Sequence, residues 1–77
     1  MTRLLSTLSE GMGATVAALS GPKETTGRLA DIGLTHGGRV KCLQKSPLGE
    51  PTAFLVRGAV IALRKEDAMA VSVDDCA

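Results

Sequence analysis

Thr52-Ala53-Phe54-Leu55-Val56-Arg57-Gly58-Ala59-Val60-Ile61-Ala62-Leu63-Arg64 is the stretch that decides the fold. Two short apolar runs, Thr52–Arg57 and Ala59–Arg64, flank Gly58. Two strand-like runs meeting at one glycine imply a tight hairpin or a bulge. In the first run, strict alternation places Phe54 with Thr52 and Val56, opposite Leu55. On the N-terminal side, Arg39–Lys45 alternates as well. Val40 and Cys42 fall on one face and Arg39, Lys41, Leu43 and Lys45 on the other, the pattern of a half-buried strand. Met12–Leu19 is a further strand, with the small apolar run 14–19 broken by Thr15. Ala68–Val73 closes the series, with Met69, Val71 and Val73 expected inward and Ala70 and Ser72 outward. Glycines and prolines separate these segments at short intervals (Gly11, Gly13, Gly21-Pro22, Gly33, Gly37-Gly38, the Pro47–Pro51 stretch and Gly58). Short strands with turn signals between them predict a small β-barrel or sandwich.

Two segments depart from the strand period. Thr25–Leu34 begins on a capping residue and carries Gly33 where a helix takes its left-handed C-terminal residue. Leu29 and Ile32 share a face, and Leu34 is placed to pack back on the last turn. Lys65–Ala68 is one helical turn with acids near its start, where the helix dipole favours them. Helices this short are marginal in water and must dock on the sheet.

The chain has 77 residues, 44% hydrophobic and 22% charged, which places it with globular domains of a single small core. Its net charge of +1 is spread along both halves, so neither is a basic arm or an acidic tail. Phe54 is the only aromatic residue, which leaves no platform for base stacking and no aromatic cage. The row Arg39, Lys41, Lys45 reads as a solvated strand face, and no nucleic-acid partner is expected. The N-terminus has no signal-peptide pattern, and the longest apolar run, Ala59–Leu63, is far short of the ~20 residues of a membrane span. A cytoplasmic location is therefore expected.

No catalytic constellation stands out. His36 is the one histidine, the serines lack a nucleophile-elbow context, and Gly11-Met12-Gly13 is followed by Val16 where a dinucleotide fingerprint needs glycine. One histidine and two cysteines exclude a self-contained iron site of two histidines and a carboxylate, a zinc CxxC pair and an iron–sulfur cluster. Asp74, Asp75 and Cys76 gather two carboxylates and a thiol, which with His36 are weak candidates for a divalent cation. Residues 74–77 read more simply as a frayed tail. Cys42, on the inward face of its strand, reads as a small hydrophobe. Neither an enzyme nor a resident cofactor is expected.

The run Gly27-Arg28-Leu29-Ala30-Asp31-Ile32-Gly33-Leu34-Thr35-His36-Gly37 resembles the signature of the ferrous iron transport protein A (FeoA) family. Leu5, Leu8, Gly11 and Val16 are similar to that family's opening. Val40-Lys41-Cys42, Ser46–Pro51, Val56–Arg64 and Glu66–Val73 are similar to its later strands, loop and hairpin, in order from about residue 5 to 73. The resemblance implies one domain over residues 1–77, folded mainly as β: a small SH3-like barrel of about five strands, with a short helix between strands 1 and 2 and a helical turn before the last strand. It also implies a small cytosolic adaptor of bacterial ferrous iron uptake, acting on a FeoB-type GTPase-coupled iron permease and peripheral to the inner membrane through that partner. The same barrel ends the iron-dependent repressors, so the alternative is a nucleic-acid-binding or transcription-linked module. That family usually carries proline at His36, so a looser turn is expected here.

A non-enzymatic barrel acts through surfaces. The expected partner-binding residues are Arg28, Asp31, Leu34, Thr35 and His36 on the helix and its following turn, and Leu48 at the tip of the proline-bounded loop. Leu34 serves as an anchor only if exposed. Edge strands of a small barrel can pair, which leaves homo-oligomerisation open.

Overall fold

A computed structural model describes residues 2–48 and 50–75, the side chain of Asp75 excepted. Six antiparallel strands form one sheet in the order β1-β6-β2-β3-β4-β5: β1 Thr2–Leu4, β2 Gly13–Leu19, β3 Arg39–Lys45, β4 Thr52–Val56, β5 Ala59–Leu63 and β6 Val71–Asp75. A 3-10 turn at Leu5–Thr7 follows β1. Helix α1 spans Lys23–Asp31 and helix α2 spans Lys65–Met69. This is the expected mainly-β, SH3-like architecture with one added strand, so α1 joins the second and third strands rather than the first and second. β1 is three residues long, too short for a period-2 pattern to register.

The deciding stretch folds as a hairpin. Arg57 (φ 53°) and Gly58 (φ 80°) both take positive φ, the requirement of a two-residue type I′ turn. Val56 faces Ala59, Phe54 faces Ile61 and Thr52 faces Leu63 across it. Phe54 lies inside, 1% exposed, in a core otherwise made of Leu, Val, Ala and Cys42.

Two expectations of pattern are corrected. Met69 was placed inward, but α2 runs through Met69, so helical period governs there. Ala68 is buried and Met69 is 47% exposed. The strand begins only at Val71. In β3 the pairing slips between Cys42 and Gln44, a bulge at Leu43. Gln44 then opposes Ala53 and Lys45 opposes Thr52, so Lys45 leaves the face that carries Arg39 and Lys41. The predicted basic row is split by one extra residue. At the C-terminus β6 continues through Asp75 rather than fraying from Asp74; Cys76 and Ala77 lie outside the described residues.

Candidate functional site

The N-cap of helix α1 is Pro22, three residues before the Thr25 that the capping pattern suggests, with no side-chain cap. Proline supplies the extended backbone that precedes the first turn. Its C-terminus behaves as the glycine signal predicts. Gly33 (φ 109°) follows the C-cap Ile32, its N–H donates to Ala30 O at 3.0 Å, and the Leu34 N–H donates to Leu29 O at 3.0 Å. This is a Schellman closure, and it turns Leu34 into the core at 0% exposure beside the equally buried Leu29. Leu34 is therefore removed from the expected partner-binding set: it holds the helix end in place and has no surface to offer.

Asp31, Thr35 and His36 are exposed around that helix end. The turn at His36 is firmly held even without proline. The Gly38 N–H donates to Thr35 O at 2.9 Å, and Gly37 (φ 85°) occupies the position that a type II turn reserves for glycine. Gly37 N–H then donates to Val16 O, and Val16 N–H to Gly38 O, both at 2.8 Å. The backbone of β2 supplies the restraint that a proline ring would have added.

Arg28 reaches from α1 to α2, where its Nη2 meets Asp67 Oδ1 at 2.7 Å. On the other side of α2, Glu50 Oε1 accepts the Lys65 N–H at 2.8 Å, a carboxylate at the positive end of the helix. That bond ties the loop between β3 and β4 to α2. Leu48, in the same loop, stands 93% exposed. Gly49, part of the loop motif, lies outside the described residues.

Helix α2 thus separates two grooves. One, of about 400 Å³, is lined by Leu48, Glu50, Thr52, Lys45 and Lys65. The other, of about 560 Å³, lies between α1 and β5, with Leu29 and Ile32 on one wall, Ile61 and Ala62 on the other, and Arg28 and Arg64 at one end. The sequence picked out Arg28 and Leu48 and missed β5. Its signal is the uncharged run Ala59–Leu63, which the sequence reads as a hairpin strand too short for a membrane span but not as a surface, and which is an exposed sheet edge, Val60 being 68% exposed.

The cation candidates are not assembled by the fold. Asp74 lies in β6, where its Oδ1 accepts from Thr2 Oγ1 at 2.9 Å, while His36 sits in the turn before β3. The Asp75 side chain and Cys76 lie outside the described residues. Among the described residues no three metal-ligating side chains cluster. Burial pushes the Cys42 thiol above the ordinary thiol range; Lys45 draws it down slightly and Glu10 adds to the rise. No helix among the described residues is long and apolar enough to cross a membrane.

A family model described as the FeoA domain matches residues 3–75. Among solved structures, the FeoA protein of Chlorobium tepidum is 31% identical with a TM-score of 0.90, over 97% of this chain and 71% of that one. The zinc complex of FeoA from Stenotrophomonas maltophilia, a prokaryotic SH3 domain protein, is 32% identical with a TM-score of 0.81, over 96% of this chain and 89% of that one. A manganese-dependent transcriptional repressor shares the fold at 22% identity, with a TM-score of 0.88 over 97% of this chain and 42% of that one. No curated protein matches the chain significantly.

Proposed function

This chain belongs to the FeoA domain family, and on that premise we propose that it is a small accessory of ferrous iron uptake that docks on the cytosolic part of a FeoB-type GTPase-coupled iron permease. The reading is supported above all by the match of residues 3–75 to that family, whose members serve iron uptake. The adaptor itself needs no chemistry. Binding two states of a partner unequally is enough to bias the partner's conformation. The surfaces with which it acts are the exposed end of α1 (Arg28, Asp31, Thr35, His36) and Leu48 at its loop tip. The Arg28–Asp67 and Glu50–Lys65 contacts join both to α2.

Capture of the isolated cytosolic domain of a FeoB-type permease tests this. Leu48→Asp and the charge reversal Arg28→Glu are each expected to weaken capture at least ~10-fold while leaving the fold intact. Capture at wild-type strength by both folded variants refutes these surfaces. The alternative, a transcription-linked module, draws on a likeness to a repressor that carries the fold alone. Retention on DNA that falls steeply with salt would favour it instead.

A further inference from the structure

We propose that the groove between α1 and β5 holds an extended peptide segment, added as a seventh strand along β5, whose apolar residues are flanked by acidic ones at the end beside Arg57. The strand order ends at β5, so one edge of it has no neighbour among the described residues. In a two-residue hairpin the residues next to the turn form a hydrogen-bonded pair, and such pairs recur at every second residue. Ala59, Ile61 and Leu63 therefore bond to β4, and the N–H and C=O of Val60 and Ala62 face outward. An exposed row of this kind is a template for strand addition.

Natural sheets protect such edges with a charge, a proline or a bulge. β5 has none of these: Ala59-Val60-Ile61-Ala62-Leu63 is uncharged and pairs with β4 without a slip. The opposite edge, β1, is short and carries Arg3. Half-buried Ile32, at the end of α1, faces half-buried Ile61 across the β5 groove, so a strand laid there turns alternate side chains toward an apolar surface.

Charge selects the occupant. Arg57, in the turn before β5, lays its stem against Gly33 at the end of α1, while at the other end of the strand Arg64 shares the groove with Glu66 and with the Arg28–Asp67 pair. Neither Arg57 nor Arg64 makes an ion pair with a described residue. Arg39 and Lys41 join Arg57 around half-buried Leu55 and exposed Gly58 and extend the positive end. A second copy of this chain is a poor occupant. Antiparallel pairing of two β5 edges, with Val60 opposite Ala62, brings the Arg57 turn of each copy toward Lys65 at the start of the other's α2, and like charges repel. A segment with acidic residues at the end that lies by Arg57 meets cations instead, while the Arg64 end, which also holds Glu66 and Asp67, selects neither sign of charge.

This deepens the docking reading, on which it rests for its biological setting but not for the binding itself. The probe is a synthetic nine-residue peptide of alternating valine and threonine bearing two glutamates at one end, titrated into the isotope-labelled full chain. Expected are saturable amide shifts along β5 and α1 and slowed hydrogen exchange at Val60 and Ala62. A lysine-for-glutamate peptide is expected to bind at least ~10-fold more weakly. Ala62→Pro removes an outward N–H that β4 does not use, so the fold is retained, and binding is expected to fall at least ~10-fold. Arg57→Glu is expected to do the same without touching the backbone. The proposal is overturned if the peptide does not bind, if it binds without protecting Val60 and Ala62, if both variants bind as wild type, or if β5 is protected by self-association as concentration rises. Failure here with intact permease capture removes the groove and leaves the docking reading standing; loss of capture with intact peptide binding does the reverse.

Discussion

Two glycines, one in the middle of α1 and one just past its end, should respond to alanine with opposite signs. Gly33 has φ 109°, and a Cβ built on it would lie 2.7 Å from Arg57 Cδ and 3.0 Å from Val56 Cγ1. An L-residue forced to positive φ costs about 1–2 kcal/mol. The arginine stem can swing aside, but Val56 is buried and must shift within the core, at about 1–3 kcal/mol for overpacking. Gly33→Ala should therefore lose between about 2 and 5 kcal/mol. That is most of the ~5 kcal/mol expected of a domain this size. Gly27 lies inside α1 with nothing within 4 Å of an added Cβ. There alanine relieves the entropy that glycine loses on entering a helix, and Gly27→Ala should gain ~0.5–1 kcal/mol. Urea unfolding at constant slope measures both, and thermal midpoints should rise by ~2–8 °C for Gly27→Ala. A Gly33→Ala variant within ~0.5 kcal/mol of wild type would sink the argument, because it would mean that the turn of Arg57 does not rest on α1. A clear loss in Gly27→Ala would refute the open helical environment assigned to it.

Phe54→Ala should cost ~3–5 kcal/mol and leave little folded protein at 37 °C, since one ring fills the centre of an aliphatic core. Phe54→Leu should stay folded and lose under ~1.5 kcal/mol by urea titration. Arg28→Ala breaks a pair whose arginine is 62% exposed and should cost less than ~1 kcal/mol by the same titration, so a large loss of partner capture in that variant reports on binding rather than folding. Because burial raises the Cys42 thiol above its unfolded value, the stability it lends is complete below ~8.5 and is lost as pH climbs through the folded value. Urea midpoints of Cys76→Ser should consequently fall more steeply above about pH 9 than those of Cys42→Ala in the same background; parallel curves would contradict the burial.

The hairpin, β3, Gly33 as the helix stop and Phe54 as the inward ring were legible because each depends on neighbours only a few residues away. Alternation sets a strand's faces, and a glycine after a helix marks the left-handed position. The misplaced Met69 and Lys45 show where this reasoning ends. In each case one residue changed the local period, a helical turn in one and a bulge in the other, and which period wins depends on packing against elements far along the chain. Leu34 shows the same limit at the site, since its apolar side chain is equally suited to an anchor and a staple until α1 docks on the sheet.

The sequence by itself determined the strand-rich class, the turns, the family and the absence of an aromatic platform. These are properties of composition and short-range pattern. Only the tertiary structure decided which residues form a surface. It buried Leu34, left Leu48 in solvent, split the basic row and made Ala59–Leu63 an open edge beside α1. The physical reason is that an edge is a property of strand order. Nothing within a strand states whether a neighbour will pair with it, and only closure of the chain over its core leaves β5 last in the sheet.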